Sequence, residues 1–159
     1  MKPDLKTIRF TRLLTEHIPA ILEIEQRVNG AAWSEQSFKN ELDQAASSFL
    51  VALLDGKLVA YGGCWHVVDE AHVTTIAVDP NHRRLGIGER LMVALLETAC
   101  DAGMTCSTLE VRASNTAAIA MYEKLGFRQA AVRKGYYPDN RENAIVMWLH
   151  GLGHWETPS

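Results

Sequence analysis

The chain has 159 residues, a formal net charge of −3 and 47% hydrophobic residues. This size and composition favour one domain over residues 1–159 with a single buried core. No stretch approaches the roughly 18–20 apolar residues of a membrane span, and residues 1–6 lack the apolar segment of a secretion signal. The small negative charge argues against direct binding of nucleic acid.

The cysteines Cys64, Cys100 and Cys106 are odd in number and lack the spacing of metal ligands. We interpret them as reduced thiols that serve as small core residues. The sequence therefore predicts a cytoplasmic protein without a bound metal, and it leaves the oligomeric state open.

The N-terminal part of the chain predicts one strand and two helices. Residues 8–13 alternate between apolar and polar, which indicates a strand. Thr15 is the expected N-cap of a helix with one apolar face that continues to Val28. Ser34 is the expected N-cap of a second helix.

Three strands are predicted next, at residues 49–54, 57–67 and 71–78. Asp55 and Gly56 form a strong hairpin signal between the first two. Gly62 and Gly63 indicate a bulge in the second strand.

The C-terminal half alternates between helices and strands. Helices are predicted at 89–102 and 116–125, and strands at 107–112, 127–132 and 144–149. Asn115 and Gly126 are the expected caps of the second of these helices. Residues 150–159 are rich in glycine, and we expect a flexible tail there, outside a core of about 8–149. Mixed strands with helices between them predict an α/β or α+β fold with a single sheet.

A basic loop with two glycines separates the strand at 71–78 from the helix at 89–102. Arg83 and Arg84 precede Gly86 and Gly88. Glycines let a ligand approach backbone N–H groups, the N-terminus of a helix attracts anions, and arginine binds phosphate oxygens. The pattern also suits a plain turn with a solvated corner. It lacks the Gly-Lys-Ser/Thr of a P-loop, and Leu91 stands where a dinucleotide-binding motif has its third glycine.

Arg-x-x-Gly-x-Gly directly after Ile-Ala-Val-Asp-Pro resembles the acetyl-CoA pyrophosphate loop of the GNAT superfamily of acetyltransferases. The order of elements over about residues 8–149 is similar to the GNAT fold, a mixed and mostly antiparallel sheet flanked by helices. The resemblance implies that acetyl-CoA is the cosubstrate. It assigns cofactor contacts to Ile76, Ala77, Val78, Arg83, Arg84, Leu85, Gly86, Ile87, Gly88, Glu89 and Asn115. Glu89 stands where a basic residue is common in the family.

Each remaining candidate is ordinary when taken alone. Glu110 alternates with apolar neighbours and suits a solvent-facing carboxylate, Asn115 suits a helix cap, and Tyr122 suits packing. Together the segments at 110–115 and 118–127 resemble the RimI branch of the superfamily, whose members acetylate protein N-termini. Trp-Ser-Glu at 33–35 and Tyr-Tyr-Pro at 136–138 match the same branch.

That resemblance implies that Glu110 is the general base and that Tyr122 protonates the leaving thiolate. It places Trp33, Tyr136 and Tyr137 at the entrance for the acceptor. In that branch the acceptor is the N-terminal alanine of the eighteenth protein of the small ribosomal subunit.

Two other functions stay open at this level. One is a GNAT enzyme that acetylates another N-terminus, a lysine or a small amine. The other is a module that binds acetyl-CoA without catalysis, although the presence of both Glu110 and Tyr122 argues against it. The aromatic entrance favours a peptide acceptor over a small amine.

Overall fold

The computed structural model describes residues 7–29 and 33–158. Its seven strands are β1 (Ile8–Arg12), β2 (Ser47–Leu54), β3 (Lys57–Val67), β4 (Glu70–Val78), β5 (Cys106–Arg112), β6 (Arg128–Arg133) and β7 (Ala144–His150). Its four α-helices are α1 (Ile18–Asn29), α2 (Glu35–Leu42), α3 (Ile87–Asp101) and α4 (Thr116–Leu125). The described residues also form short 3₁₀ turns at Thr15–His17, Pro80–His82 and Leu152–His154.

The strands form one sheet in the order β1-β2-β3-β4-β5-β7-β6. All neighbouring strands are antiparallel except β4 and β5, which run parallel. The predicted fold, a mixed and mostly antiparallel sheet flanked by helices, is confirmed.

Helices cover both faces of this sheet. Ile21 of α1 and Phe38 of α2 pack with Phe49 and Tyr61 on one face. Leu91 of α3 packs on the opposite face, and the rest of α3 joins α4 over β5 and β7 in the largest apolar cluster. Side chains that alternate along β5 therefore enter two different environments.

The turn chemistry explains most of the element boundaries. Asp55 and Gly56 both have positive φ, 52° and 80°, as a two-residue hairpin turn requires. The register of β3 against β4 shifts between Gly63 and Cys64, which confirms the predicted bulge. A Cβ at Gly62 would lie 2.6 Å from Ile76 Cδ1, so the strands leave no room for a side chain there.

Two predicted boundaries differ from the structure. Thr15 does not cap α1, because residues 15–17 form a 3₁₀ turn and the helix begins at Ile18. The helix after the basic loop begins at Ile87 instead of Glu89, because Gly86 in the left-handed region already ends the loop. The predicted break at residues 29–32 falls largely outside the described residues.

The prediction of a flexible tail is wrong for residues 151–155. Leu152 is fully buried, and its N–H donates to the Thr105 carbonyl at 2.8 Å. Trp155 Nε1 donates to the Leu125 carbonyl at 2.9 Å. An apolar side chain after Gly151 thus reaches the core, and the buried area holds the segment in place.

Within the described residues, no helix is both long and apolar enough to cross a membrane. The same part of the chain brings no three His, Cys, Asp or Glu side chains together as a metal site. The three cysteines are free thiols.

Candidate active site

The two parallel strands pair only at one end, and this opens a gap in the sheet. Glu70–His72 of β4 pairs with Cys106–Thr108 of β5, and the pairing stops there. Beyond it, residues 73–76 and 109–112 line the two sides of a cavity of about 630 Å³. A ligand can therefore enter between two strands of the same sheet.

The backbone of β4 presents polar groups to this gap. Asp79 N–H donates to the Val59 carbonyl at 2.8 Å, so Ala60 and Val78 form a non-hydrogen-bonded pair of the β3–β4 ladder. Val78 therefore turns its N–H and C=O away from β3, toward the gap. The two-residue alternation of a strand gives Ile76 the same orientation.

The loop after β4 is shaped by a buried carboxylate and two left-handed residues. Asp79 is 4% exposed, and its Oδ1 accepts a hydrogen bond from Asn81 N–H at 3.1 Å. Arg84 and Gly86 have φ of 64° and 80°. The chain thereby turns so that α3 starts at the floor of a second cavity of about 600 Å³.

This second cavity brings the predicted cofactor residues together. It is lined by Ile76, Ala77, Val78, Arg83, Arg84, Gly86, Ile87, Gly88, Glu89 and Asn115. Leu85 is the exception, because its side chain packs against the core cluster beneath the loop. The described protein offers no clash to a Cβ at Gly86, and one at Gly88 would lie 3.6 Å from Val78 Cγ2. The space beside both glycines therefore belongs to the cavity.

Glu89 is neutralised within the protein. Lys124 Nζ of α4 lies 3.0 Å and 3.2 Å from its two carboxylate oxygens. Glu89 is thus paired with Lys124, and the charges of Arg83 and Arg84 stay available to an anionic ligand. The residues present fit an acyl-CoA pyrophosphate.

Tyr122 of α4 and Asn115, the N-cap residue of that helix, line both cavities. Asn115 caps the helix, with its Oδ1 accepting from Ala118 N–H at 3.2 Å. Tyr122 is 7% exposed, and burial, with a smaller contribution from nearby Tyr137, raises its pKa to about 12. Its hydroxyl therefore keeps its proton at neutral pH and can act as a donor between the two spaces.

Glu110 faces the gap from β5. Leu109 and Val111 enter the core on one face, and Glu110 lies on the other with its side chain 32% exposed. Arg133 Nε is 3.7 Å from Glu110 Oε2. A carboxylate that is open to water on one side and to the cavity on the other can receive a proton.

Glu110 also lines a neighbouring cavity of about 450 Å³ that we call the aromatic cavity, with Trp33, Trp65, His72, Tyr136 and Tyr137 among its walls. The structure thus brings the three aromatic residues predicted at the acceptor entrance to the same space as Glu110. Trp65 is an addition that the sequence did not suggest.

The loop that carries the two tyrosines is tied to the end of β5. Arg112 Nη2 donates to Asp139 Oδ2 at 3.0 Å, and its guanidinium lies 4.0 Å from the centre of the Tyr137 ring. The rings of Tyr136 and Tyr137 meet edge to face at 5.1 Å. Arg112 therefore positions one wall of the aromatic cavity, a role that sequence reasoning missed.

Trp33 is held by a fully buried carboxylate on α1. Its backbone N–H donates to Glu25 Oε1 at 3.1 Å, and its ring stacks on Phe38 at 5.3 Å. Glu25 also accepts from Tyr61 Oη and from Asn29 Nδ2. The sequence signal for this role was a glutamate at an apolar position of α1.

Comparison with known proteins gives consistent matches. The model of the acetyltransferase (GNAT) family matches residues 18–127. The chain is 42% identical over 139 residues to the ribosomal protein bS18-alanine N-acetyltransferase of Escherichia coli (strain K12), covering 86% of this chain and 93% of that protein. It is 41% identical over 140 residues to the enzyme of the same name from Salmonella typhimurium, with coverages of 86% and 93%.

A solved structure gives the same result. The crystal structure of the ribosomal-protein-S18-alanine N-acetyltransferase from Escherichia coli superposes with a TM-score of 0.83 at 39% identity. That superposition covers 91% of this chain and 94% of the other.

Proposed function

The chain belongs to the acetyltransferase (GNAT) family, and from this premise we propose that it acetylates the N-terminal alanine of ribosomal protein bS18, the acceptor named for its relatives. The acetyl donor is acetyl-CoA. The observation that carries the proposal is the meeting of the two cavities: Tyr122 and Asn115 line both, and Glu110 faces the first. We propose further that the chain acts as one domain in the cytoplasm, where ribosomal proteins are made.

The second cavity, which we call the cofactor cavity, would hold acetyl-CoA at its pyrophosphate and along its pantetheine arm. Arg83, Arg84 and the N-terminus of α3 suit the pyrophosphate, because arginine donors and unpaired helix N–H groups both attract phosphate oxygens. The outward-facing backbone groups of Ile76 and Val78 suit the amide groups of the pantetheine arm. This arrangement directs the thioester toward the gap between β4 and β5.

The reaction then requires one proton acceptor and one proton donor. Glu110, directly or through a water molecule, takes a proton from the amine, whose nitrogen attacks the thioester carbonyl carbon. The Val78 N–H donates to the oxygen that becomes negative. The C–N bond forms as the carbonyl π bond opens, and when that π bond re-forms the C–S bond breaks and the thiolate takes a proton from the Tyr122 hydroxyl. Amide and free thiol are the products.

An α-amine suits a single carboxylate base better than a lysine does. An α-amino group has a pKa of about 7.7–8.0, so about a tenth is neutral at pH 7. A lysine amine near 10.4 is neutral in only about one molecule in a few thousand. Trp33, Tyr136 and Tyr137 would grip the first residues of an extended chain beside Glu110.

The test is a competition within one peptide. A peptide that begins with Ala and carries one internal lysine is incubated with the protein and acetyl-CoA, and fragmentation mass spectrometry locates the acetyl group. We expect it on the N-terminal amine, with weaker use of matched peptides that begin with Ser or Met.

Acetyl groups mainly on the lysine would overturn the proposal in favour of a lysine or small-amine enzyme. No acetylation of any amine, with acetyl-CoA binding intact, would identify a binding module without catalysis.

A further inference from the structure

The space that would receive the acceptor, which we call the acceptor side, does not end at the aromatic cavity. Trp33 and Trp65 also line a fourth cavity of about 580 Å³ that runs along α2, which we call the α2 cavity. Its other walls include the polar side chains of Ser37, Asn40 and Gln44. A chain that leaves the aromatic cavity can therefore continue between the two tryptophans onto α2.

Trp65 is exposed but fixed. The residue is 47% exposed, yet its indole Nε1 donates to Glu41 Oε1 at 2.7 Å. Glu41 is only 9% exposed, and its second oxygen accepts from Ser47 Oγ. A buried carboxylate thus orients an indole ring whose face is open to a ligand.

The charge of this region is negative. Among the described residues that line the α2 cavity, Glu41 is the acid and there is no lysine or arginine. His66 also lines it, and burial lowers the pKa of that imidazole, so it stays neutral at pH 7. The aromatic cavity adds Glu110, which shares its charge with Arg133, while Glu41 has no such ion pair among the described side chains.

We propose that the α2 cavity is a second acceptor subsite that binds an arginine or lysine side chain downstream of the N-terminus being acetylated. This inference rests on the proposed function. An indole face attracts a cation, most strongly when water is excluded, and the carboxylate of Glu41 at the edge of the same ring adds Coulomb attraction. Ser37, Asn40 and Gln44 supply hydrogen-bonding groups to the peptide backbone.

The sheet register sets the position of that residue. Trp65 pairs with His72, which pairs with Thr108, so Trp65 lies two strands away from β5 and Glu110 lies two residues further along it. Strand spacing and rise place the two positions about 12 Å apart. An extended peptide advances about 3.3 Å per residue, so the cationic residue is expected near position 3, 4 or 5.

The test moves one charge along the acceptor. Ten-residue peptides begin with Ala, carry a single arginine at positions 2 to 8 in a Gly/Ser background, and are compared with peptides carrying citrulline, the neutral isostere. At saturating acetyl-CoA we expect arginine to lower KM about 5-fold or more relative to citrulline at one or two of positions 3 to 5, with kcat unchanged.

Variants then assign the effect to this cavity. Glu41→Gln keeps an oxygen that can accept from Trp65 Nε1 and removes the charge, so the arginine-to-citrulline ratio of KM should approach one. Trp65→Leu should also move this ratio toward one, and Trp65→Phe should give an intermediate value. The matched control is Glu35→Gln, because Glu35 is an exposed acid on the same helix that pairs with Lys39, and this variant should retain the full ratio.

The outcomes separate this inference from the proposed function. Acetylation of all peptides with equal KM for arginine and citrulline at every position would refute the subsite and leave the function standing. A preference for arginine that survives both Glu41→Gln and Trp65→Leu would also refute it, since the cation would bind elsewhere. Failure to acetylate every Ala-initiated peptide would contradict the function and the subsite together.

Discussion

Glu110 and Tyr122 reach the same gap from environments that favour opposite roles. Tyr122 is buried on α4, and its pKa is raised to about 12 chiefly by burial, so it holds its proton. Glu110 is a third exposed on β5 and in contact with water. An ordinary phenol keeps its proton at neutral pH and an ordinary carboxylic acid loses it, so the two residue types already suit a donor and an acceptor, and the burial of Tyr122 reinforces the donor.

We expect Glu110→Gln and Tyr122→Phe each to lower kcat by about 10²–10⁴-fold, the usual contribution of one acid or base group. Both substitutions keep the shape of the side chain, so acetyl-CoA affinity by calorimetric titration should be unchanged. Wild-type turnover in Glu110→Gln at pH 7 would move the base to His72, which lines the same aromatic cavity.

The pH profile gives Tyr122 a separate signature. The rate should rise as the acceptor amine loses its proton near pH 8 and then stay level to at least pH 10, because a donor with a pKa of about 12 is still protonated there. A fall of kcat with an apparent pKa near 10 that disappears in Tyr122→Phe would contradict the raised value.

Glu25 accepts hydrogen bonds from three donors, one of them the Trp33 N–H, and its loss should destabilise the fold. Glu25→Ala leaves the Tyr61 hydroxyl, the Asn29 amide and the Trp33 N–H without their acceptor, so the free energy of unfolding should fall by at least about 2 kcal/mol. Urea denaturation measures it. Tyr61→Phe removes a single donor and should cost about 1 kcal/mol. Equal small effects of the two substitutions would mean that Glu25 is not the anchor.

At the scale of elements, the loop before α3 shows how a glycine leaves space for a ligand beside the backbone. The described protein leaves open space at Gly86 and ordinary contact distance at Gly88, and the left-handed φ makes glycine favourable only at Gly86. We therefore propose that the absence of a side chain at Gly88 leaves room for the acetyl-CoA that enters the cavity.

Gly88→Val should accordingly weaken acetyl-CoA binding about 10-fold or more while the melting temperature stays close to that of the wild type. Calorimetric titration measures the affinity, and circular dichroism checks the fold. Gly88→Ala is the matched control with a smaller side chain and should have a smaller effect. Unchanged affinity in a folded Gly88→Val protein would remove this loop from the donor site.

Local signals predicted the elements well, and long-range contacts escaped them. Turn and cap chemistry at Asp55-Gly56 and at Asn115 is written in adjacent residues, so the hairpin and α4 were found. Apart from Asn115, the residues predicted to contact the cofactor lie within 76–89, so one local motif could indicate them together. In contrast, the bond from Tyr61 to Glu25 spans 36 residues and that from Trp65 to Glu41 spans 24, and no pattern in one segment indicates its partner in another.

At the scale of the whole molecule, the gap between β4 and β5 separates two sides of opposite charge. The cofactor cavity carries Arg83 and Arg84, whereas the acceptor side carries Glu110 and Glu41. Under the proposed function and subsite, an anionic donor and a cationic acceptor chain would be attracted to different sides of the gap and would meet there. The small net charge of −3 conceals this segregation.

Salt should therefore weaken the binding of acetyl-CoA by screening its attraction to Arg84. Between 0.1 and 1 M salt the Debye length falls from about 10 to about 3 Å, so KM for acetyl-CoA should rise while kcat changes little. Arg84→Asn should raise KM at low salt and make its salt dependence shallower, and Asn tolerates the left-handed φ of 64° at this position, so the fold should persist. Arg9→Asn on the edge strand β1 is the control and should leave the slope unchanged. Identical slopes in all three proteins would show that Arg84 does not meet the donor's phosphates, and the attraction would then have to come from Arg83 and the N-terminus of α3.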